Sequence, residues 1–174
     1  MGVQPRSKQA GNANSRVGGT KNKVAMFVLW GLVVGWMAFI FWLSSQSGDA
    51  SSSFTETLRF FLLDGILASL NISVSGLAFR KIGHAVLYFV MAIFTTSALY
   101  ASGFRRGRLY ATSLIICFVY AITDEVHQYF IPGRSAEFTD VLIDTFGAAL
   151  AILLWAGVYR FVTTRWKKRT EVVS

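Results

Sequence analysis

The sequence predicts an all-α, polytopic membrane protein: a bundle of four transmembrane helices, with an external interfacial helix between the first and the second. Two observations indicate this class. The apolar residues, 53% of the 174-residue chain, are gathered in four long runs, and most basic residues lie outside those runs. The first run, residues 24–43, has twenty residues and no charge. As a helix it is about 30 Å long, the thickness of the hydrocarbon core of a bilayer. A buried helix of a soluble protein, the alternative class, fits such a run poorly.

The other three runs also fit spanning helices. Residues 82–100 carry no charged side chain apart from His84. Residues 109–122 are too short to cross a bilayer by themselves, so this helix must continue to about residue 130. Residues 141–162 supply the fourth span.

The segments outside these runs complete the domain organisation. Residues 1–23 are rich in Gly, Asn, Ser and basic residues, and we expect a disordered cytoplasmic tail there. A membrane domain follows at residues 24–163, and a basic cytoplasmic tail at residues 164–174. Between spans one and two, residues 53–56 match a capping box and precede apolar residues at helical spacing. This pattern predicts an amphipathic helix at the external interface.

The basic residues predict the orientation of the chain. Thirteen of the seventeen Lys and Arg residues lie in the two terminal segments, in the loop between spans two and three, or, in the case of Arg160, near the end of the fourth span. Four spans place these segments on one side, and the positive-inside rule assigns that side to the cytoplasm. No further basic surface is left for DNA or RNA, so we expect membrane lipids as partners and no nucleic acid. A single cysteine gives no metal motif, and we predict no metal ion and no cofactor.

The ionisable residues next to the apolar runs lie at the external ends of the predicted spans, where unpaired charges are costly. Lys81, His84 and Tyr88 share one helix face, because they are spaced i, i+3 and i+7. Arg134 follows a Pro-Gly turn, and its guanidinium can hold a carboxylate through two hydrogen bonds, so we expect a partly buried ion pair there. We predict one polar cluster with these members: Gln46, Lys81, His84, Tyr88, Asp124, Glu125, His127, Gln128, Arg134, Asp140 and Asp144.

These residues resemble the VanZ-like family of membrane proteins, named for a teicoplanin-resistance protein. The resemblance covers about residues 26–160. Its motifs are Ser45-Gln46, Lys81-x-x-His84-x-x-x-Tyr88, Asp124-Glu125-x-His127-Gln128, Pro132-Gly133-Arg134, Asp140 and Gly147. The family usually has Asn where this chain has Asp144. The resemblance implies a multi-pass protein of the bacterial plasma membrane that is linked to cell-envelope stress or glycopeptide tolerance. It implies no particular reaction.

Three functions remain open on this basis. The polar cluster could be an outward-facing cavity for an envelope component, such as a lipid headgroup, a lipid-linked precursor or a glycopeptide, with Lys81 and Arg134 contacting its phosphate or carboxylate. It could be an intramembrane hydrolase in which His84 or His127 is the base, with or without a divalent metal. No HExxH motif or nucleophile elbow supports an enzyme. The third function is structural, a salt-bridged plug that joins the helix ends.

Overall fold

The computed structural model describes residues 7–47, Ser53, Thr57 and residues 75–172. Four helices, α1 to α4, follow one another in the chain, and the described residues contain no strand. Each helix contains a stretch long and apolar enough to cross a membrane. The predicted all-α class and the four spans are therefore confirmed. The helices are α1 (Ser7–Ser44), α2 (Gly76–Ala101), α3 (Arg106–Tyr129) and α4 (Phe138–Val172).

The outer limits of the helices differ from the prediction. α1 begins at Ser7, inside the segment expected to be disordered, although its apolar span begins only at Lys23. α4 likewise continues to Val172, into the predicted basic tail. Adding residues to an existing helix costs far less than starting one, so a spanning helix can extend beyond its apolar run. The predicted interfacial helix lies outside the described residues except for Ser53 and Thr57, which are helical and joined by a hydrogen bond of 2.8 Å.

The four helices run up and down, so their ends meet in two groups. α2 packs on each of the other three helices and most extensively on α4, whereas α1 packs mainly on α2. At one end of the bundle, indole nitrogens tie the helices together, with Trp30 donating to Ser102 at 3.0 Å and Trp155 donating to Ser97 at 3.2 Å. The opposite end carries the predicted polar cluster. We call it the polar end and define it as residues 44–46, 80–84 and 124–144.

The side of each helix that faces its neighbours is apolar or pairs its polar groups. Tyr88, Met91 and Cys117 are fully buried in the core. The hydroxyls of Thr96 and Ser113 lie 2.7 Å apart across the α2–α3 contact, so both are satisfied. Large apolar side chains cover the outer surface of all four helices. An outer surface of this kind fits lipid better than water.

A close contact between α2 and α4 sets the height of the polar groups on these helices. Gly147 is buried against Ala85, and a Cβ added at Gly147 would lie 2.9 Å from the carbonyl carbon of Ala85. Only glycine allows the two backbones to approach so closely. Asp144 lies one turn before Gly147, and His84 is the neighbour of Ala85. The contact therefore brings these two side chains to the same level.

Candidate functional site

Lys81 joins α2 to the beginning of α4. Its ammonium donates hydrogen bonds to Asp140 at 2.6 Å and to Glu137 at 3.1 Å, and it lies 3.5 Å from the hydroxyl of Thr139. Asp140 is 5% exposed, while Glu137 is largely open to its surroundings. The hydrogen bond from Lys81 lowers the pKa of the Glu137 carboxyl below its usual value of 4.5. The three donor positions of this ammonium are therefore occupied within the protein.

Among the described residues, Arg134 does not form the ion pair predicted for it. Its guanidinium donates from Nε to the carbonyl oxygen of Gln46 at 3.0 Å and from Nη2 to the carbonyl oxygen of Leu43 at 3.3 Å. Its third hydrogen bond, 3.1 Å long, goes from Nη1 to the side-chain oxygen of Gln128. The carbonyls at the end of a helix lack intrahelical partners and carry partial negative charge, which a cation satisfies. Burial lowers the pKa of Arg134, with the nearby Arg80 acting in the same direction.

Gln128 connects Arg134 to Asp124 through hydrogen bonds. Its amide nitrogen donates to Oδ2 of Asp124 at 3.0 Å and lies 3.5 Å from the hydroxyl of Ser44. Arg134, Gln128 and Asp124 thus form a chain of hydrogen bonds that fixes the carboxylate of Asp124. The other oxygen of this carboxylate, Oδ1, is buried and has no hydrogen-bond partner in the described part of the chain.

Three side chains from three helices converge at the carboxylate of Asp124. His84 of α2, Asp124 of α3 and Asp144 of α4 each offer a ligand atom, and these atoms all lie within 4.8 Å of one another. Nδ1 of His84 is 3.8 Å from Oδ2 of Asp144, which is too long for a hydrogen bond. Within the described residues, neither oxygen of Asp144 has a hydrogen-bond partner, and nor do Nδ1 of His84 and the hydroxyl of Tyr88. We call His84, Asp124 and Asp144 the buried triad.

Glu125 lies beside the buried triad but faces a different space. Its Oε2 accepts a hydrogen bond of 2.8 Å from the backbone nitrogen of Glu137, while its Oε1 is buried and unpartnered among the described residues. Both glutamates line a groove of about 430 Å³ between the end of α3 and the beginning of α4. The rest of the groove is apolar, including Val126 of α3 and Phe138 of α4. A polar edge thus meets an apolar wall.

Two predicted members of the cluster lie apart from the buried triad. His127 stacks on Phe41 of α1, with ring centres 4.2 Å apart, and its Nε2 is 3.1 Å from the hydroxyl of Ser45. Gln46 contributes its backbone carbonyl to Arg134, whereas its side chain donates to Trp42 of its own helix. The remaining predicted residues lie at the polar end, except for Tyr88, which is one turn from His84 on α2.

The predicted cluster lacks two residues that matter in the structure. Glu137 is not in the predicted cluster, although it lies three residues before Asp140 and could share its face. Ser44 is 2% exposed and lies within reach of Gln128. Its position next to Ser45-Gln46 was the available signal.

Comparison with known proteins identifies the family. No curated protein and no solved structure matches the chain. A family model described as VanZ/LLP1 matches residues 27–161, which include the apolar core of every span and the whole polar end. Because this match covers well over half of the sequence and agrees with four membrane-spanning helices around the polar end, the chain belongs to the VanZ/LLP1 family of membrane proteins.

Proposed function

We propose that this VanZ/LLP1 protein binds a lipid component of the bacterial envelope at its polar end, and that this binding supports tolerance of envelope stress, including stress from glycopeptides such as teicoplanin. The observation that carries the proposal is the groove between α3 and α4. It is open, it lies beside the spanning segments, and it combines an apolar wall with two carboxylates. This combination suits an amphiphile that has one apolar chain and one polar headgroup.

The apolar part of the groove suits the hydrocarbon chain. Ile122 and Val126 line it from α3, and Phe138 and Val141 line it from α4. All four belong to stretches apolar enough to lie in a membrane. A lipid chain can therefore enter the groove sideways from the bilayer without crossing water.

The polar edge of the groove favours a headgroup that donates hydrogen bonds. Glu125 lines the groove, and its Oε1 is a buried acceptor with no partner in the described part of the chain; a ligand hydroxyl or amine would satisfy it if the side chain turned towards the groove. Lys81 and Arg134, expected from the sequence to hold a phosphate, already donate to protein oxygens. An anion would have to break those bonds. A lipid-linked precursor with sugar hydroxyls, or an amine-bearing lipid, fits the groove better than a bare phosphate.

The distribution of charge supports an external location for this site. The polar end is opposite to the α2–α3 connection, where Arg105 precedes α3 and Arg106 and Arg108 lie in its first turn. The positive-inside rule assigns that loop and both termini to the cytoplasm of the plasma membrane. The groove would then face the external leaflet, in which lipid-linked envelope precursors are used and glycopeptides act.

Blocking the groove tests the proposal. Ala136 lines it and is exposed, so Ala136→Trp should fill it without disturbing the core. Ala111→Trp, at an exposed position on α3 outside the groove, is the matched control. Lipids bound to each purified protein are identified by mass spectrometry and compared with the lipids of the membrane from which it came. We expect the wild type and Ala111→Trp to retain one enriched lipid that carries a hydroxyl or amine headgroup, and Ala136→Trp to lose it.

The same variants in cells connect binding to function. A strain without the protein is complemented with each variant, and growth under teicoplanin is measured beside the amount of protein in the membrane. Ala136→Trp at wild-type abundance should fail to complement, whereas Ala111→Trp should succeed. Equal lipid profiles and equal complementation by both variants would exclude the groove as the binding site.

One set of contacts favours a structural role for part of the polar end. Arg134 and Gln128 hold the end of α1 against α3 through hydrogen bonds to backbone and side-chain oxygens. For these two residues, the structural role, a plug that joins the helix ends, is a better description than ligand binding. They are expected to affect the amount of folded protein before they affect ligand binding.

A further inference from the structure

We infer that the buried triad, His84, Asp124 and Asp144, is a binding site for one divalent transition-metal ion, with zinc as its natural probe. This site is distinct from the lipid groove and does not depend on the function proposed for it.

Asp124 and Asp144 have no Lys or Arg partner in the described part of the chain, and His84, whose Nδ1 lies 3.8 Å from Oδ2 of Asp144, is a cation only when protonated. Asp124 and Asp144 are 2% and 0% exposed. Among the described residues, no Lys or Arg forms an ion pair with either carboxylate; Lys81 pairs with Glu137 and Asp140 instead. Two buried carboxylates without a Lys or Arg are costly in a low-dielectric interior, so they must take up protons, pair with a protonated His84 or bind a metal cation.

The separations of the unpartnered atoms suit a bound ion. Neither oxygen of Asp144 has a hydrogen-bond partner in the described residues, and Oδ1 of Asp124 has none either. The free atoms lie instead at separations that suit a common ligand. Bonds of about 2.1 Å from one ion to Nδ1 of His84 and to Oδ2 of Asp144 would span their 3.8 Å separation at an angle of roughly 130°.

The ligand types of the buried triad favour a transition-metal ion. One imidazole nitrogen and two carboxylate oxygens suit zinc or manganese, whereas magnesium and calcium prefer oxygen ligands alone. Two carboxylates and a neutral imidazole also balance the charge of a divalent ion. The ligand atoms, within 4.8 Å of one another, need to close by about 1 Å to reach the roughly 3.4 Å separation of a tetrahedral site.

Neighbouring residues hold the side chains of the buried triad in place. Metal sites hold their carboxylates by outer hydrogen bonds. Gln128 donates to Oδ2 of Asp124 and is itself held by Arg134, which leaves Oδ1 without a hydrogen-bond partner in the described residues. The contact of Gly147 with Ala85 sets the positions of Asp144 and His84. The hydroxyl of Tyr88, one turn from His84 and also unpartnered in the described residues, can bind a water on the ion.

The experiment measures zinc bound to protein whose affinity tag has been removed. Wild-type protein in detergent is stripped with EDTA, dialysed against ZnCl₂ or MgCl₂, and analysed for metal per chain. We expect about one zinc per chain and no magnesium. His84→Gln and Asp144→Asn should each weaken zinc binding at least about ten-fold, since each removes one ligand. His127→Gln, which changes the chain's other histidine and leaves the triad intact, should bind zinc like the wild type.

Two further readouts keep the test decisive if a variant fails to fold. Zinc should raise the unfolding temperature of the wild type, because a ligand that binds only the folded state stabilises it. Cobalt in place of zinc should give the visible absorption of a site with nitrogen and oxygen ligands. Substoichiometric zinc in the wild type, or zinc binding by Asp144→Asn and His84→Gln as tight as that of His127→Gln, would overturn the assignment.

Discussion

Replacing Gly147 by Ala should destabilise the bundle, although Ala is the better helix former. Gly147 lies where α4 touches the backbone of α2, and a Cβ added there would come within 2.9 Å of the carbonyl carbon and 3.1 Å of the Cα of Ala85. Carbon atoms in contact prefer separations of about 3.5–4.0 Å. The atoms in the way belong to the backbone, so no rotamer change can relieve the clash and the helices must move apart.

The magnitude follows from two opposing effects. Overpacking a tight contact costs about 1–3 kcal/mol. Replacing a helical glycine by alanine returns about 0.5–1 kcal/mol. The net destabilisation at Gly147 is therefore about 1–2 kcal/mol, which lowers the unfolding temperature of a chain of this size by roughly 2–8 °C. At Gly157, on the same helix, an added Cβ meets nothing within 4 Å, so Gly157→Ala should leave stability unchanged or raise it.

Cys117 supplies the assay. It is the only cysteine in the sequence and is fully buried, so a thiol-reactive fluorescent dye labels it only when the bundle opens. Heating wild type, Gly147→Ala and Gly157→Ala in the same detergent gives three unfolding temperatures. The expected order is Gly147→Ala lowest, then wild type, with Gly157→Ala equal to the wild type or above it. Equal temperatures for the two alanine variants would refute the close contact, and with it the argument that glycine positions Asp144 beside His84.

Three other predictions follow from the polar end. Arg134→Ala leaves two backbone carbonyls and the oxygen of Gln128 without a donor, so it should cost about 2–4 kcal/mol, against less than about 0.5 kcal/mol for Arg106→Ala on the opposite loop; the thiol-dye assay compares them. The depressed pKa of Glu137 gives stability that is present above pH 4.5 and is lost as the pH falls through the lowered pKa, so the advantage of wild type over Glu137→Gln should be seen at pH 6 and shrink as the pH falls below 4.5; equal pH profiles would contradict the Lys81 contact. A cysteine at Ser135, in a Cys117→Ala background, should react with an impermeant thiol reagent in intact cells, whereas protection until lysis would reverse the proposed orientation.

The fold could be predicted because span length and hydropathy carry most of its information. The third apolar run illustrates this. It was too short by itself, and the requirement to cross a bilayer extended it past Asp124 and Glu125 to about residue 130. The helix ends at Tyr129. Helix limits outside the membrane were less predictable, because beyond the apolar run no burial requirement fixes where α1 and α4 stop.

The meeting of the polar residues could be predicted, but their pairing could not. Four antiparallel spans place Lys81 and Asp140 at one depth, and they do form an ion pair. The partners of Arg134 depend on the carbonyls at the end of α1, and backbone groups have no signature in a sequence pattern. His127 lies three residues after Asp124 and therefore on nearly the same side of α3. The remaining difference in direction around the helix axis is enough to turn it towards Phe41. Ligand binding by the cluster stays a prediction.

The polar end therefore contains two kinds of charged residue. Those whose hydrogen bonds are complete belong to the scaffold, and those whose atoms lack partners in the described residues belong to the binding site. Arg134 and Lys81 have their hydrogen bonds completed by protein oxygens, so removing either leaves acceptors unsatisfied and the cost falls on folding. Oδ1 of Asp124 and both oxygens of Asp144 are buried, and no described residue satisfies them. In the absence of a ligand, these carboxylates therefore already lower the stability of the folded state. Asparagine has nearly the same size and removes a charge. Asp144→Asn should consequently be at least as stable as metal-free wild type, and less stable than wild type once zinc is added. A cation site requires this reversal, in which Asp144→Asn is at least as stable as wild type without zinc and less stable with zinc. In a plug of paired charges, Asp144→Asn would be destabilised under both conditions.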